Sequence, residues 1–65
     1  MNSLRRYREQ ILISKAELAR KAGLSVVTIA SIEKGKRCSL TTQRKILLGL
    51  GLGISEKHKI FGNED

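Results

Sequence analysis

The 65-residue chain contains no proline and no tryptophan, and only one each of cysteine, histidine, methionine, tyrosine and phenylalanine. Each scarcity removes a class of function. A lone cysteine excludes an internal disulfide, so a chain of this size must be held by helix or sheet packing alone. Cys38 and His58 stand twenty positions apart with no companion ligands nearby, which is the wrong pattern for a zinc site or a Cys/His catalytic pair. With six acidic residues and little volume for a pocket, nothing converges on a reaction centre, and neither an enzyme nor a bound metal or cofactor is expected. No apolar run reaches the length of a membrane span or follows a charged leader, so a cytoplasmic protein with no membrane partner is expected. Repeats, low-complexity tracts and linkers are also missing. One domain over residues 1–61 with a frayed tail at 62–65 is the organisation this implies.

What the chain does have is positive charge. Thirteen Lys and Arg face six Asp and Glu, giving a formal net charge of +7. Glu64 and Asp65 lie at the extreme end, so the body is more basic still. Such an excess favours a polyanion through phosphate neutralisation and counterion release. A solubilising surface would have the same composition, so charge alone leaves the choice open.

The stretch from Ser14 to Gly35 narrows it. Ser14 with Glu17 three residues on forms a capping box, and Ile13 and Leu18 sit at the staple positions on either side, so a helix should start at Lys15. Ser25 repeats the logic more weakly, with Leu24 and Ile29 as staple and Thr28 where an acid would stand, so a second helix should start at Val26. Gly23 between them suits the left-handed conformation that ends a helix. Ala16 and Ala19 are small enough for a crossing helix to come close, while Leu18, Ala22, Ile29 and Ile32 give each helix one apolar stripe. Val26, Val27, Ala30, Ser31 and Lys34 then face outward, and two adjacent valines are unusual on a merely solvated face.

The flanks read as three more helices. Residues 2–10 can cap at Asn2 or Ser3 and turn Leu4, Tyr7, Arg8 and Ile11 to one side. The run from Ile11 to Ile13 reads as a core-facing connection, since no other segment offers it a strand partner. Ser39 can cap a helix to Leu50 with Leu40, Gln43, Ile46, Leu47 and Leu50 at helical spacing, its end loosened by Gly49, Gly51 and Gly53. Ser55 can cap a last short helix to Phe61. The fold class is therefore all-α, with five helices.

The segment SKAELARKAGLSVVTIASIEKGKR resembles the Cro/cI-type (XRE) helix-turn-helix family. The resemblance rests on Ser14, Glu17, Leu18, Ala19, Gly23, Ile29, Ile32, Glu33 and Gly35, and weaker similarity runs from Leu4 to about Phe61. It implies a small five-helix bundle of the lambda-repressor-like kind and a sequence-specific double-stranded DNA-binding transcriptional regulator, a repressor, with the helix from Val26 to Lys34 in the major groove. By the same resemblance Val26, Val27 and Ser31 meet base edges, and Lys15, Ser25, Thr28, Lys34, Lys36 and Arg37 meet phosphates. Lys15 stands where the family usually has glutamine, and a lysine can still reach a phosphate. Arg8 is expected opposite Glu33 as a partly buried pair.

One recognition helix reads little sequence, so a homodimer on DNA is expected. Leu48, Leu52, Ile54, Ile60 and Phe61 are the candidate self-contact. The competing reading is an antitoxin or adaptor module that acts through protein contacts of the same C-terminal segment.

Overall fold

The computed structural model describes residues 2–62 and is helical throughout, with no strand among them. Four α-helices, α1 (Leu4–Gln10), α2 (Lys15–Ala22), α3 (Val26–Glu33) and α4 (Leu40–Gly49), are followed by a 3-10 helix, Ile54–Lys59. Among the described residues no helix is long and apolar enough to cross a membrane. The expected tail falls mostly outside the described residues: only Gly62 is seen, and it is exposed.

Three serines start three helices in the same way. The hydroxyls of Ser14, Ser25 and Ser39 accept from the backbone N–H of Glu17, Thr28 and Thr42 at 3.0, 3.1 and 3.2 Å. Each satisfies one N–H that the helix cannot pair, and such caps contribute about 1 kcal/mol each. The Glu17 carboxylate turns one turn forward, to the Lys21 ammonium at 3.7 Å. At the other end of α2, Gly23 sits at φ 70°, which lets Leu24 N–H donate to the Ala19 carbonyl at 2.9 Å and Gly23 N–H to that of Arg20 at 3.3 Å. That paired ending turns the chain sharply into α3.

The largest fully buried side chains are Leu4, Leu18, Ile29, Ile46, Leu47 and Ile60, so every helix except the 3-10 turn sends at least one into a single core, which Ile60 closes. Burying each is worth about 1.5–3 kcal/mol. Helix α2 is the centre, packed on both α3 and α4, with α4 against the 3-10 helix and α1 against α3.

Several sequence expectations are corrected here. Gly49 does not loosen the end of α4. It lies inside the last turn, where a Cβ would stand 3.1 Å from Ala22 N and 3.2 Å from its Cα, so the glycine is what lets α4 cross α2 closely. Ala19 and Ala22 line that crossing side, whereas Ala16 is exposed. Of the run Ile11–Ile13 only Ile13 packs on the core. The chain reverses there, and Leu12, at φ 62°, points outward with 89 % of its surface exposed.

The last helix starts at Gly53 rather than Ser55, because the Glu56 carboxylate accepts the Gly53 N–H at 2.8 Å. In α4 the apolar stripe begins later than expected: Leu40 is exposed and Gln43 is buried. Leu52, Ile60 and Phe61, expected at a self-contact, are buried in the monomer's own core, because the chain after α4 folds back over it. Leu48 and Ile54, at 61 % and 52 % exposed, are the two of the five that face out.

Candidate nucleic-acid interface

Helix α3 is two-faced because of its spacing. Ile29 and Ile32 fill the core, so Val26 and Val27, near the start and turned about a quarter and nearly half of a circle away, cannot. They stand 44 % and 75 % exposed. Thr28, Ala30 and Ser31 are half-buried, spread around the part of the helix that turns away from the core. The Ser25 and Thr28 hydroxyls lie 2.9 Å apart, so the cap is a small polar cluster at the helix start. No acidic residue occupies the first turn of α3, unlike α2 with Glu17. Its N-terminal N–H groups therefore keep their positive field, which favours an anion such as a phosphate.

The loop that follows is shaped by Gly35, whose φ of 104° suits a residue without a Cβ. Lys36 N–H returns to the Ser31 carbonyl at 3.1 Å, folding the loop against the end of α3. A groove of about 250 Å³ results, in which Val27, Thr28 and Ser31 form one wall and Lys36 and Arg37 the other. Five of the nine residues expected at DNA are thus brought into one groove. Lys15, Ser25, Val26 and Lys34 lie outside it, all exposed. Ser39 and Thr42 also line it; sequence reasoning had read Ser39 only as a helix cap and given Thr42 no role. The signal was available: a cap two and three residues after two cations puts its own first turn beside them.

The far end of α3 is anchored twice. Arg8 Nε donates to Glu33 Oε2 at 2.7 Å, and the two side chains keep 10 % and 3 % of their surface exposed. Arg8 also donates through Nη1 to the Ile13 carbonyl at 2.9 Å, so one guanidinium joins α1, the α1–α2 turn and α3. Asn2 Nδ2 donates to the Ile32 carbonyl at 2.8 Å. These bonds tie the C-terminal end of α3, whose Ile32 carbonyl also accepts the Gly35 N–H at 2.9 Å, to the start of the chain and fix its tilt on the body.

Away from this face, the Glu56 carboxyl is held below its ordinary range by the Gly53 N–H and then by Lys59, 3.0 Å away, whose own ammonium is raised by Glu56. That cluster orders the 3-10 helix.

A capped helix, a left-handed glycine turn and a second helix with an outward apolar flank and a basic loop behind it together define a helix-turn-helix DNA-binding domain. A family model described as helix-turn-helix matches residues 4–57, and the chain belongs to that family, the Cro/cI-type or XRE group of DNA-binding regulators. Comparison with curated proteins and with solved structures found no match.

Proposed function

We propose that the protein is a cytoplasmic, sequence-specific transcriptional repressor that binds double-stranded DNA as a homodimer, with α3 in the major groove of each half-site. The observation that carries this reading is the groove in which Val27, Thr28 and Ser31 share walls with Lys36 and Arg37. Valine methyls suit thymine 5-methyl groups, a serine hydroxyl can donate or accept at a base edge, and the cations match the adjacent backbone. Val26 joins the base contacts; Lys15, Ser25 and Lys34 join the phosphate contacts. Two-fold pairing would set the two α3 helices one DNA turn apart and double the sequence read. Leu48 and Ile54 are the exposed apolar residues that support a self-contact, while Leu52, Ile60 and Phe61 stabilise the fold behind them. An adaptor acting through the C-terminal segment would have Leu48 and Ile54 as its exposed apolar contacts.

The test is binding to operators selected from a random DNA pool, measured across salt. Alanine at Lys36 or Arg37 should weaken cognate and random DNA alike and flatten the slope of log affinity against log salt by about 0.9 per lost phosphate contact. Uracil in place of contacted thymines should weaken the cognate site only. Affinity indifferent to every thymine methyl would overturn the valine readout.

A further inference from the structure

The carbonyl of Ile32, next to the end of α3, is bonded twice. Gly35 N–H reaches it at 2.9 Å and closes the turn that leads to Lys36 and Arg37, while Asn2 Nδ2 reaches it at 2.8 Å from the start of the chain. The first bond already satisfies the acceptor. Removing the second therefore orphans no buried group, and what Asn2 adds is position rather than pairing. Its amide is itself held in place. Oδ1 accepts the Leu4 N–H at 3.1 Å, and the next residue, Ser3, donates its N–H at 2.8 Å to the carbonyl of Ile60, which is 1 % exposed. Turning the amide over would set its oxygen against the Ile32 carbonyl and its nitrogen against the Leu4 N–H, so only one orientation suits both neighbours, with the donor toward α3.

We propose that Asn2 is a positioning residue for DNA recognition: without touching DNA, it sets the direction of α3 and thereby the sequence discrimination of the domain. Helix α3 has eight residues and buries two of them, Ile29 and Ile32. Arg8, in the second turn of α1, holds Glu33. With that tie alone the far end of α3 is a pivot on which the helix can rock. Asn2, from a separate point just before α1, removes that freedom. The inference rests on the reading of α3 as the helix that meets base edges. Its two kinds of contact respond differently to rocking. A gap of about 0.5–1 Å forfeits a quarter to a half of the attraction between a valine methyl and a thymine methyl. Lys36 and Arg37, on long flexible stems, follow a phosphate through such a shift and act by a longer-ranged attraction. A rocking α3 loses discrimination between sequences before it loses affinity for DNA.

The test uses the full chain with Asn2→Asp, which keeps the acceptor for Leu4 N–H and loses only the donor, and with Asn2→Ser, which is neutral and too short to reach Ile32. Residual dipolar couplings of the backbone amides, measured without DNA, report the direction of α3. Affinities for the selected operator and for random duplex report discrimination. In both variants the α3 couplings should depart from the single orientation that fits the rest of the body. The ratio of operator to random affinity should fall about tenfold, the worth of one base contact. Random-DNA affinity and its salt slope should be unchanged in Asn2→Ser. The added charge of Asn2→Asp weakens both DNAs alike and cancels in the ratio. Asn2→Gln, which retains an amide donor, should recover much of the discrimination. Loss of one hydrogen bond lowers Tm by about 4–8 °C in a domain this small, so binding is measured well below the transition. An α3 direction unchanged in both variants, a ratio unchanged in both, or an equal loss on operator and random DNA in Asn2→Ser would overturn the proposal. A wild type that did not distinguish operator from random DNA would instead refute α3 as the reading helix, and the specificity role with it, while the couplings alone would still decide whether Asn2 orients the helix.

Discussion

Leu12 is a large apolar side chain in the wrong backbone conformation, and removing it should stabilise the protein. Its φ of 62° is a left-handed value that costs a residue with a Cβ about 1–2 kcal/mol. With 89 % of its surface in water, the side chain returns almost nothing through burial. Glycine removes the steric cost but frees the unfolded chain, which takes back about 0.5–1 kcal/mol. The net gain for Leu12→Gly is about 0.5–1 kcal/mol, or about 3–6 °C in Tm for a domain this small. Leu12→Asn should gain as much or more, since asparagine tolerates the left-handed region without glycine's freedom when unfolded. Ile11→Gly is the matched control: its φ of −94° strains nothing and its side chain is 38 % exposed against 89 % for Leu12, so it should lose about 1–2 kcal/mol. Thermal and urea unfolding followed by circular dichroism at constant m-value would measure all three. If Leu12→Gly lowers stability as Ile11→Gly does, the strain argument fails and Leu12 has a contact that its exposure conceals.

Gly49→Ala should destabilise by about 1–2 kcal/mol despite alanine's better helix propensity, because the added Cβ meets the Ala22 backbone, which cannot swing aside; urea unfolding would show it. Arg8→Met or Glu33→Leu alone should cost about 3–5 kcal/mol by leaving a buried charge without its partner, and the double variant should cost clearly less than the sum in a double-mutant cycle. Additive effects would dissolve the pair. Because the Glu56 carboxyl is depressed in the fold, the order it gives the 3-10 helix is present above its ordinary value of 4.5 and fades as pH falls through the lower folded value. The Gly53 amide shift should report that titration in NMR and lose it in Glu56→Gln.

What could be read from the sequence was local. Ser14, Ser25 and Ser39 each find a partner three residues away, so the starts of α2, α3 and α4 were visible before any tertiary structure, as was Gly23. The family pattern placed α3 and the basic loop for the same reason. What escaped depends on distant neighbours. Gly49 looks like a helix breaker until Ala22 is seen against it, and Ile60 and Phe61 look like surplus apolar surface until the chain is seen folding back on the core. Gln43 could be suspected as a polar residue on an apolar stripe, but nothing in the sequence says that its oxygen lacks a donor. Ser55 and Gly53 compete for one helix start, and the carboxylate of Glu56 decides it.

The bonds at the beginning of the chain also bear on its topology. Ser3 N–H donates to the Ile60 carbonyl at 2.8 Å, so the first helix entry and the last buried turn are stitched together with nearly the whole chain between them. The domain is in that sense a ring already closed by a hydrogen bond. A short peptide could replace that bond by a covalent joint with little distortion, and new ends could be opened at the exposed α1–α2 turn around Leu12. Such a rearranged chain would turn the costliest loop closure in folding into a pre-formed connection.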